Sequence, residues 1–157
     1  MVSTIDINIQ DIAHHELLKQ LEKYKADHGC VVVMETKTGE IKAISNLGIT
    51  SEGKYYEKLN YAVGESHEPG STFKLMSLVA ALEDKVVDTS TVIDTEKGRY
   101  RIYDGVVKDT KWGGHGKITL SKAFAVSSNV AFAKIINENY KEQPEKFVNR
   151  LMNMGLH

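Results

Sequence analysis

Apolar residues recur at three- and four-residue steps through residues 9–25, which is the spacing of one face of an amphipathic helix. Gly29 follows at the position expected of a helix stop. The next run, residues 30–34, is β-branched and apolar, and a second apolar run follows at residues 41–44. Gly39 between them suits a left-handed turn position, so the pattern predicts a hairpin.

The middle of the chain alternates between loop and short regular segments. Residues 47–70 carry several glycines and little periodicity, which predicts mostly loop, whereas residues 71–83 are strongly helical in pattern. Two short strands are predicted near residues 100–103 and 106–108. The Asp-Gly pair at 104–105 is the dipeptide of a tight type I′ hairpin, so we expect these strands to pair.

The last third of the chain is predicted to be helical. Thr119 stands where it can cap a helix that ends near Val126, and a second helix is predicted over residues 129–140. Pro144 suits the first turn of a final helix, which Gly155 ends. No repeat or linker divides the chain, and helices around antiparallel hairpins predict an α+β fold.

Composition narrows the class of protein. The chain has 157 residues, with Lys+Arg 20 against Asp+Glu 21, so its net charge of -1 does not favour a nucleic acid or an acidic membrane as partner. No apolar run approaches the roughly 18 residues of a membrane span, and residues 1–4 lack a signal-peptide pattern. Cys30 is the single cysteine, and its place in an apolar strand predicts a small core residue. Trp112, in a glycine-rich loop, is expected to be a packed anchor rather than a substrate contact.

The histidines do not form an evident site. His14 and His15 are neighbours on the first helix and point in different directions. His28, His67 and His115 stand apart, with no carboxylate or thiolate at ligand spacing. The sequence therefore predicts no metal site and no cofactor.

Ser71 and Lys74 are the first candidates for chemistry. They stand three residues apart at the start of a predicted helix, directly after Pro69-Gly70, which must turn the chain sharply. This spacing places both side chains on one face. A serine hydroxyl becomes a nucleophile when a base takes its proton, and a lysine can serve if its surroundings favour the neutral amine. The helix dipole disfavours a nearby cation, and its free N–H groups stabilise an oxyanion. A Ser-x-x-Lys pattern also arises by chance, with the serine serving only as a helix cap.

The second candidate is the run Ser127-Ser128-Asn129, which falls at the break between two apolar helices. Three small polar residues are poor core material at such a place. Ser128 or Asn129 could act as the cap of the following helix. Displayed on a short bend, a hydroxyl and a carboxamide could also pass a proton and hold a substrate amide.

The run Glu68-Pro69-Gly70-Ser71-Thr72-Phe73-Lys74 and the later Ser127-Ser128-Asn129-Val130 together resemble the transpeptidase domain of penicillin-binding proteins. The similarity also takes in the first helix and the hairpin, and so covers essentially the whole chain. The flanks of Ser71 are most similar to class B, monofunctional enzymes of the septal, cell-division type. The resemblance implies a β-lactamase/transpeptidase-like α+β fold, with antiparallel hairpins packed against helices.

The resemblance also implies a role for each motif residue. Ser71 would attack the D-Ala-D-Ala carbonyl of a peptidoglycan stem peptide and form an acyl-enzyme, and its backbone N–H would supply half of the oxyanion hole. Lys74 would be the base, Ser127 would relay a proton to the leaving group, and Asn129 would bind substrate and Lys74. The implied ligands are stem peptides and β-lactam antibiotics, and the implied partners are proteins of the division machinery. Such enzymes work outside the bacterial cytoplasmic membrane, held by an anchor that this chain does not contain.

One departure from the family pattern concerns its third motif, Lys-Thr-Gly, which lies on a strand C-terminal to Ser-x-Asn. Lys37-Thr38-Gly39 precedes the nucleophile and fits a hairpin turn instead. We therefore expect residues 1–157 to be the N-terminal portion of a single transpeptidase domain that lacks its C-terminal strands. The fragment alone is expected to be inactive, and its exposed apolar surface makes self-association a hypothesis.

Two alternatives remain open from the sequence. A serine β-lactamase or β-lactam sensor of the same superfamily shares Ser-Thr-Phe-Lys, although such proteins typically carry an apolar residue where Asn129 stands. A non-catalytic binding module that keeps the fold is the other. The joint presence of Ser71, Lys74, Ser127 and Asn129 argues against a non-catalytic parent protein, because a module that had lost its activity would not need all four.

Overall fold

The computed structural model describes residues 3–156, and the chain divides after Glu68 into a first unit and a second unit. The first unit contains one long helix, a three-stranded antiparallel sheet in the order β1-β2-β3, and a short helix. Its elements are α1 (Ile7–Tyr24), β1 (His28–Met34), β2 (Ile41–Ile49), β3 (Tyr55–Glu57) and α2 (Tyr61–Gly64).

Helix α1 begins two residues before the predicted start, because the Asp6 side chain accepts hydrogen bonds from the backbone N–H groups of Asn8 and Ile9 and caps the helix there. Its buried leucines, Leu17 and Leu21, pack on the sheet beside β2. The apolar stripe seen in the sequence is therefore the face that builds this core.

The predicted hairpin of β1 and β2 is confirmed, and Gly39 has a φ of 76° in its turn. Burial alternates along β1, with Val31 and Val33 half-buried while Cys30, Val32 and Met34 are exposed. The prediction that Cys30 is a core residue is therefore wrong, because an antiparallel strand covered on one side buries only every second side chain.

The second unit has a 3₁₀ turn (Gly70–Thr72) near its start, and its described part, as far as residue 156, contains four helices and two separate two-stranded antiparallel sheets. Its elements in chain order are α3 (Phe73–Glu83), β4 (Val92–Asp94), β5 (Arg99–Ile102), β6 (Gly105–Lys108), β7 (Lys117–Thr119), α4 (Leu120–Ala125), α5 (Asn129–Tyr140) and α6 (Pro144–Asn153). Strand β4 pairs with β7, and β5 pairs with β6.

Helix α5 is the centre of the second core. Ala131, Phe132 and Ile135 lie on its buried face and join Ala81 of α3 and Leu120 of α4 in one apolar cluster. Alanines at the helix contacts let the backbones approach closely, so each small side chain is fully covered. This packing fixes the start of α5 relative to α3.

The hairpin of β5 and β6 differs from the predicted turn by one position. Ile102 pairs with Gly105, so the loop residues are Tyr103 and Asp104, and Tyr103 takes the left-handed conformation with a φ of 49°. The Asp-Gly dipeptide therefore does not occupy the two central turn positions. The register follows the pairing of Tyr100 with Val107 rather than the local dipeptide preference.

Trp112 is 93% exposed, so the expectation of a packed loop anchor is wrong. The loop is held by backbone instead: a Cβ added to Gly114 would lie 2.3 Å from the Gly98 nitrogen. Only glycine permits the backbones at positions 98 and 114 to lie so close together. The loop is therefore held by this backbone contact, and the exposed indole of Trp112 does not anchor it.

A buried carboxylate anchors the far end of α3. Asp84 accepts hydrogen bonds from the Arg150 guanidinium and from the Tyr140 hydroxyl, and only 2% of its side chain is exposed. Burial acts to raise the pKa of Asp84, but the hydrogen bonds from Arg150 and Tyr140 outweigh it and the pKa is lowered. Burial and the Asp84 carboxylate raise the pKa of Tyr140.

Small antiparallel sheets with packed helices confirm the predicted α+β class. Within residues 3–156, no helix combines the length and the apolar character needed to cross a bilayer. The segment predicted as loop, residues 47–70, contains the end of β2, all of β3 and α2. Short elements of this kind form on a neighbouring strand and leave little periodicity in the sequence.

Candidate active site

The chain turns sharply just before Ser71. Pro69 has a φ of -68° and Gly70 a φ of 58°, a left-handed value that favours glycine. The 3₁₀ turn Gly70–Thr72 follows and runs directly into α3. Because a 3₁₀ turn has about three residues per turn, side chains at i and i+3 lie one above the other. This geometry brings Ser71 and Lys74 together.

Lys74 Nζ is the meeting point of all four residues that the sequence singled out. It lies 3.0 Å from Ser71 Oγ, 2.9 Å from both Oγ and the carbonyl oxygen of Ser127, and 2.5 Å from Asn129 Oδ1. Ser71, Lys74, Ser127 and Asn129 are called the Lys74 cluster below. A local spacing and a contact between residues more than fifty positions apart thus converge on one nitrogen.

The environment of Lys74 shifts its protonation equilibrium toward the neutral amine. Burial of the ammonium lowers the pKa of Lys74 below its ordinary value of 10.5, although the Asp109 carboxylate acts in the opposite direction. A neutral amine has two N–H groups and one lone pair. The N–H groups can donate to the Ser127 carbonyl and Asn129 Oδ1, and the lone pair can accept a proton from a serine hydroxyl, either Ser71 or Ser127.

Ser127 lies in the bend between α4 and α5 in a left-handed conformation, with a φ of 54°. Such a backbone is uncommon for a residue with a Cβ and costs on the order of 1–3 kcal/mol. Here it directs both the carbonyl and the hydroxyl of one residue toward Lys74. This uncommon backbone conformation therefore lets one residue present two oxygen atoms to the amine.

Asp109 supports this bend and was not found from the sequence. Its carboxylate accepts hydrogen bonds from Ser128 Oγ at 3.0 Å and from the Val130 backbone N–H at 3.0 Å. Ser128 is buried and caps α5 through the Ala131 N–H, so it serves as the cap that the sequence offered as one interpretation. Asp109 stands far from both motifs in the sequence, and no spacing rule indicates it.

The orientation of the Asn129 carboxamide is set from its other side. Its Nδ2 donates to the Lys108 carbonyl at 2.8 Å, so Oδ1 faces Lys74. The amide can thus accept from the lysine without a flip that would present two N–H groups to it.

A cleft of about 510 Å³ lies beside Asp109 and Lys108. The residues that line it include Lys97, Arg99, Lys108 and Lys111 together with the exposed Trp112. Cations around an indole suit a ligand that carries carboxylates and an apolar part. The sequence alone did not show that these residues share one cleft.

Two of the histidines are not isolated, contrary to the sequence prediction. His28 and His67 both approach the Glu65 carboxylate in the first unit. The missed signal is Glu65, two residues before His67 on an extended stretch. His14, by contrast, lies 3.3 Å from Ser45 Oγ and 3.9 Å from Glu57.

Comparison with known proteins places this chain in a family. The model of the penicillin-binding protein transpeptidase domain matches residues 29–156. The stage V sporulation protein D of Bacillus subtilis (strain 168) is 30% identical over 154 residues, which cover 94% of this chain and 24% of that protein. The peptidoglycan D,D-transpeptidase FtsI of Escherichia coli (strain K12) is 31% identical over 137 residues, which cover 84% of this chain and 23% of that protein.

A solved structure shows the same fold. The apo structure of the TP domain from Burkholderia pseudomallei penicillin-binding protein 3 has a TM-score of 0.77 and 27% sequence identity, covering 94% of this chain and 40% of that chain. The chain spans about a quarter of the length of the two curated relatives. A family match over most of the chain and a common fold lead to one conclusion: this chain belongs to the penicillin-binding protein transpeptidase family.

Proposed function

We propose that the Lys74 cluster carries the serine acyl-transfer chemistry of a peptidoglycan D,D-transpeptidase. The observation that supports this most directly is the position of one partly desolvated amine against both Ser71 Oγ and the Ser127–Asn129 bend. A helix cap alone would need neither the lysine nor the distant bend.

The proposed reaction begins with neutral Lys74. Its lone pair takes the Ser71 proton while Oγ attacks the carbonyl carbon of the penultimate D-Ala of a stem peptide. The backbone N–H of Ser71 stabilises the oxyanion that forms. The C–N bond to the terminal D-Ala then breaks, and a proton held on Lys74 passes through the Ser127 hydroxyl to the leaving amine.

The second half of the reaction reverses the proton path. An amine from another stem peptide attacks the Ser71 ester, loses its proton through Ser127 to Lys74, and forms the cross-link. Ser71 then recovers a proton from Lys74. Asn129 holds the peptide amide and the lysine in register throughout. A β-lactam would acylate Ser71 by the same first step, because its strained amide replaces the D-Ala-D-Ala bond.

We also propose that residues 1–157 form the N-terminal portion of a single transpeptidase domain. The share of the Burkholderia pseudomallei TP domain that the chain covers, 40%, supports this proposal. A Lys-Thr-Gly strand would then supply the opposite wall of the cleft and further oxyanion and carboxylate contacts. Without that wall, we expect the chain to react with penicillin hardly at all.

Septal cell-wall synthesis on the outer face of the bacterial cytoplasmic membrane is the proposed setting, with division proteins as partners. The name of the Escherichia coli relative, FtsI, and the sporulation name of the Bacillus subtilis relative support it. Exposed apolar side chains such as Ile7 and Val63 support self-association of the isolated chain. A monomeric light-scattering profile at high concentration would count against it.

Labelling with a fluorescent penicillin tests the proposed function. We expect stoichiometric labelling of a chain extended past His157 through the first Lys-Thr-Gly or Lys-Ser-Gly strand. Ser71→Ala should abolish the label, whereas Ser121→Ala, an exposed serine of α4, should keep it. Rapid release of the label would favour the β-lactamase alternative, and a label that survives Ser71→Ala would refute the assignment.

The 157-residue chain serves as the companion sample. It is expected to give little or no labelling under the same conditions. Stoichiometric labelling of Ser71 in this chain would show that the missing wall is not required.

A further inference from the structure

Three potential metal ligands converge at the start of β1 in the first unit. His28 Nε2 lies 2.8 Å from Glu65 Oε2, and His67 Nε2 lies 3.0 Å from the same oxygen. The ligand atoms of all three side chains lie within 4.8 Å of one another. His28, Glu65 and His67 are called the His28 cluster below. The Lys74 cluster belongs to the second unit, and the chemistry proposed above uses none of the three residues of the His28 cluster.

The spacing of these atoms suits one small cation. Ligand atoms about 2.0–2.1 Å from a tetrahedral zinc ion are about 3.3–3.4 Å apart. The two nitrogen–oxygen distances, 2.8 Å and 3.0 Å, are a few tenths of an ångström shorter than this, so small side-chain movements would bring Glu65 Oε2 and each imidazole nitrogen to the spacing of zinc ligands. Glu65 is 34% and His67 61% exposed, which permits such movement and gives the ion a path from solvent.

Neighbouring residues hold the cluster in place. The Tyr61 ring stacks on the His28 ring with centroids 4.4 Å apart and fixes its plane. Gly48 makes room for this arrangement, because a Cβ there would lie 2.2 Å from the Tyr61 hydroxyl oxygen. A ligand ring held by packing loses less freedom when it binds a metal.

We propose that His28, Glu65 and His67 bind one zinc ion, with water completing its coordination. Two imidazole nitrogens and one carboxylate oxygen are a donor set that zinc prefers, whereas magnesium and calcium prefer oxygen alone. The ion would join the segment after α2 to the first residue of β1 and so act as a clamp within the first unit. Since unfolded chain does not hold these groups together, binding stabilises the folded state.

Zinc titration of the untagged, chelator-treated 157-residue chain tests the proposal. The Cys30→Ser background removes the exposed thiol as a competing ligand. We expect one zinc ion per chain by calorimetry. His67→Gln and Glu65→Gln should each weaken binding at least 10- to 100-fold, the loss seen even for groups that only support a ligand. The matched control is His15→Gln, an exposed histidine on α1, which should bind zinc as the parent does.

Two further readouts separate a built site from loose surface binding. Zinc at about 100 times its dissociation constant should raise the midpoint of thermal unfolding by about 5–10 °C, and His67→Gln should remove this rise. Co²⁺ should give the visible spectrum of a low-coordinate site in the parent and lose it in Glu65→Gln. Circular dichroism checks that the variants fold.

The proposal is overturned by any of three results. These are no zinc binding by the parent, an affinity in His67→Gln and Glu65→Gln equal to that of the parent, or a loss of affinity in His15→Gln as large as in those two variants. Absence of binding would leave the two imidazoles as plain hydrogen-bonding partners of Glu65.

Discussion

The Lys74 cluster and the His28 cluster both gather side chains that are far apart in sequence, but they differ in burial. In the Lys74 cluster an amine is partly desolvated and surrounded by oxygen atoms, and its pKa falls because burial disfavours the ammonium. In the His28 cluster the carboxylate and one imidazole remain open to water. The first is therefore suited to proton transfer by the protein itself, and the second to an ion that enters from solvent.

The two clusters also differ in what holds them. The Lys74 cluster lies where the packed helices α3 and α5 begin. In the bend between α4 and α5, Asp109 accepts hydrogen bonds from the Ser128 hydroxyl and the Val130 N–H. The His28 cluster includes a segment of irregular backbone after α2, with the stacked Tyr61 as its clearest support. We therefore expect substitutions at the first site to affect both reactivity and stability, and substitutions at the second to affect metal binding alone.

The largest effect is expected from Lys74→Met in the chain extended through the Lys-Thr-Gly strand. Loss of a general base lowers a rate about 10²- to 10⁴-fold, so acylation by penicillin should slow by that factor while Ser71 remains present. Stopped-flow fluorescence of the acylation step measures it. Lys122→Met, an exposed lysine of α4, is the control that should keep the rate. An unchanged rate in Lys74→Met would remove the chemical distinction between the two clusters.

Asp84→Ala should be the largest effect on folding, because it releases the end of α3 opposite Ser71. The buried Tyr140 hydroxyl loses its 2.9 Å acceptor, and the Arg150 guanidinium loses its partner. We expect a loss of about 2–3 kcal/mol in the free energy of unfolding, measured by urea denaturation. Glu142→Ala, whose side chain is 86% exposed, should change it by no more than about 0.5 kcal/mol.

The same carboxylate predicts a pH dependence. Its folded pKa lies below the ordinary 3.8, so its contribution is complete above that value and is lost as pH falls through the folded pKa. As the pH is lowered, the free energy of unfolding should therefore fall less steeply in Asp84→Asn than in the parent. Equal slopes would show that Asp84 is not the group responsible.

Asp109→Asn should have a smaller effect, a fall in the pKa of Lys74, and the direction of this change tests the assignment. Removing the charge takes away the one influence that raises the pKa of Lys74, so the amine should titrate at a still lower pH. NMR of ¹³C-methylated lysines measures this pKa, and Lys74→Met identifies the resonance of Lys74.

In the parent protein, Lys74 should already titrate below its ordinary pKa of 10.5. Between its folded pKa and 10.5 the unfolded chain binds more protons, so stability from this group rises with pH. A rise in its pKa in Asp109→Asn would contradict the assignment.

The smallest effect is expected from His67→Gln without metal. The side chain is 61% exposed, so the free energy of unfolding should change by no more than about 0.5 kcal/mol. Denaturation in the presence of a chelator measures it. A loss above about 1 kcal/mol in the free energy of unfolding would mean that the His28 cluster stabilises the fold without metal, as the hydrogen bonds from Tyr140 and Arg150 to Asp84 do.

Local features of the sequence were enough to predict α1, the first hairpin and the helices α3, α4, α5 and α6. Each of these depends on periodicity, a cap or a turn within a few residues, such as Thr119 before α4 and Pro144 at the start of α6. The pairing of β4 with β7 was not predicted, since the two strands are more than twenty residues apart in the chain. Strand β3 was not predicted because three residues are too few to show a periodicity. The exposure of Cys30 and Trp112 was predicted wrongly, because hydrophobicity does not tell which face of a strand or loop is covered.

The sequence by itself determined the four residues of the Lys74 cluster as candidates. Each of the two motifs, Ser-x-x-Lys and Ser-x-Asn, is recognised from residues within a few positions of one another. Only the tertiary structure decided that Ser127 bends left-handed toward Lys74, that Asp109 holds this bend, and that Glu65 joins two histidines. These contacts depend on distances between segments far apart in sequence. Packing of the cores sets such distances, and no local pattern encodes them.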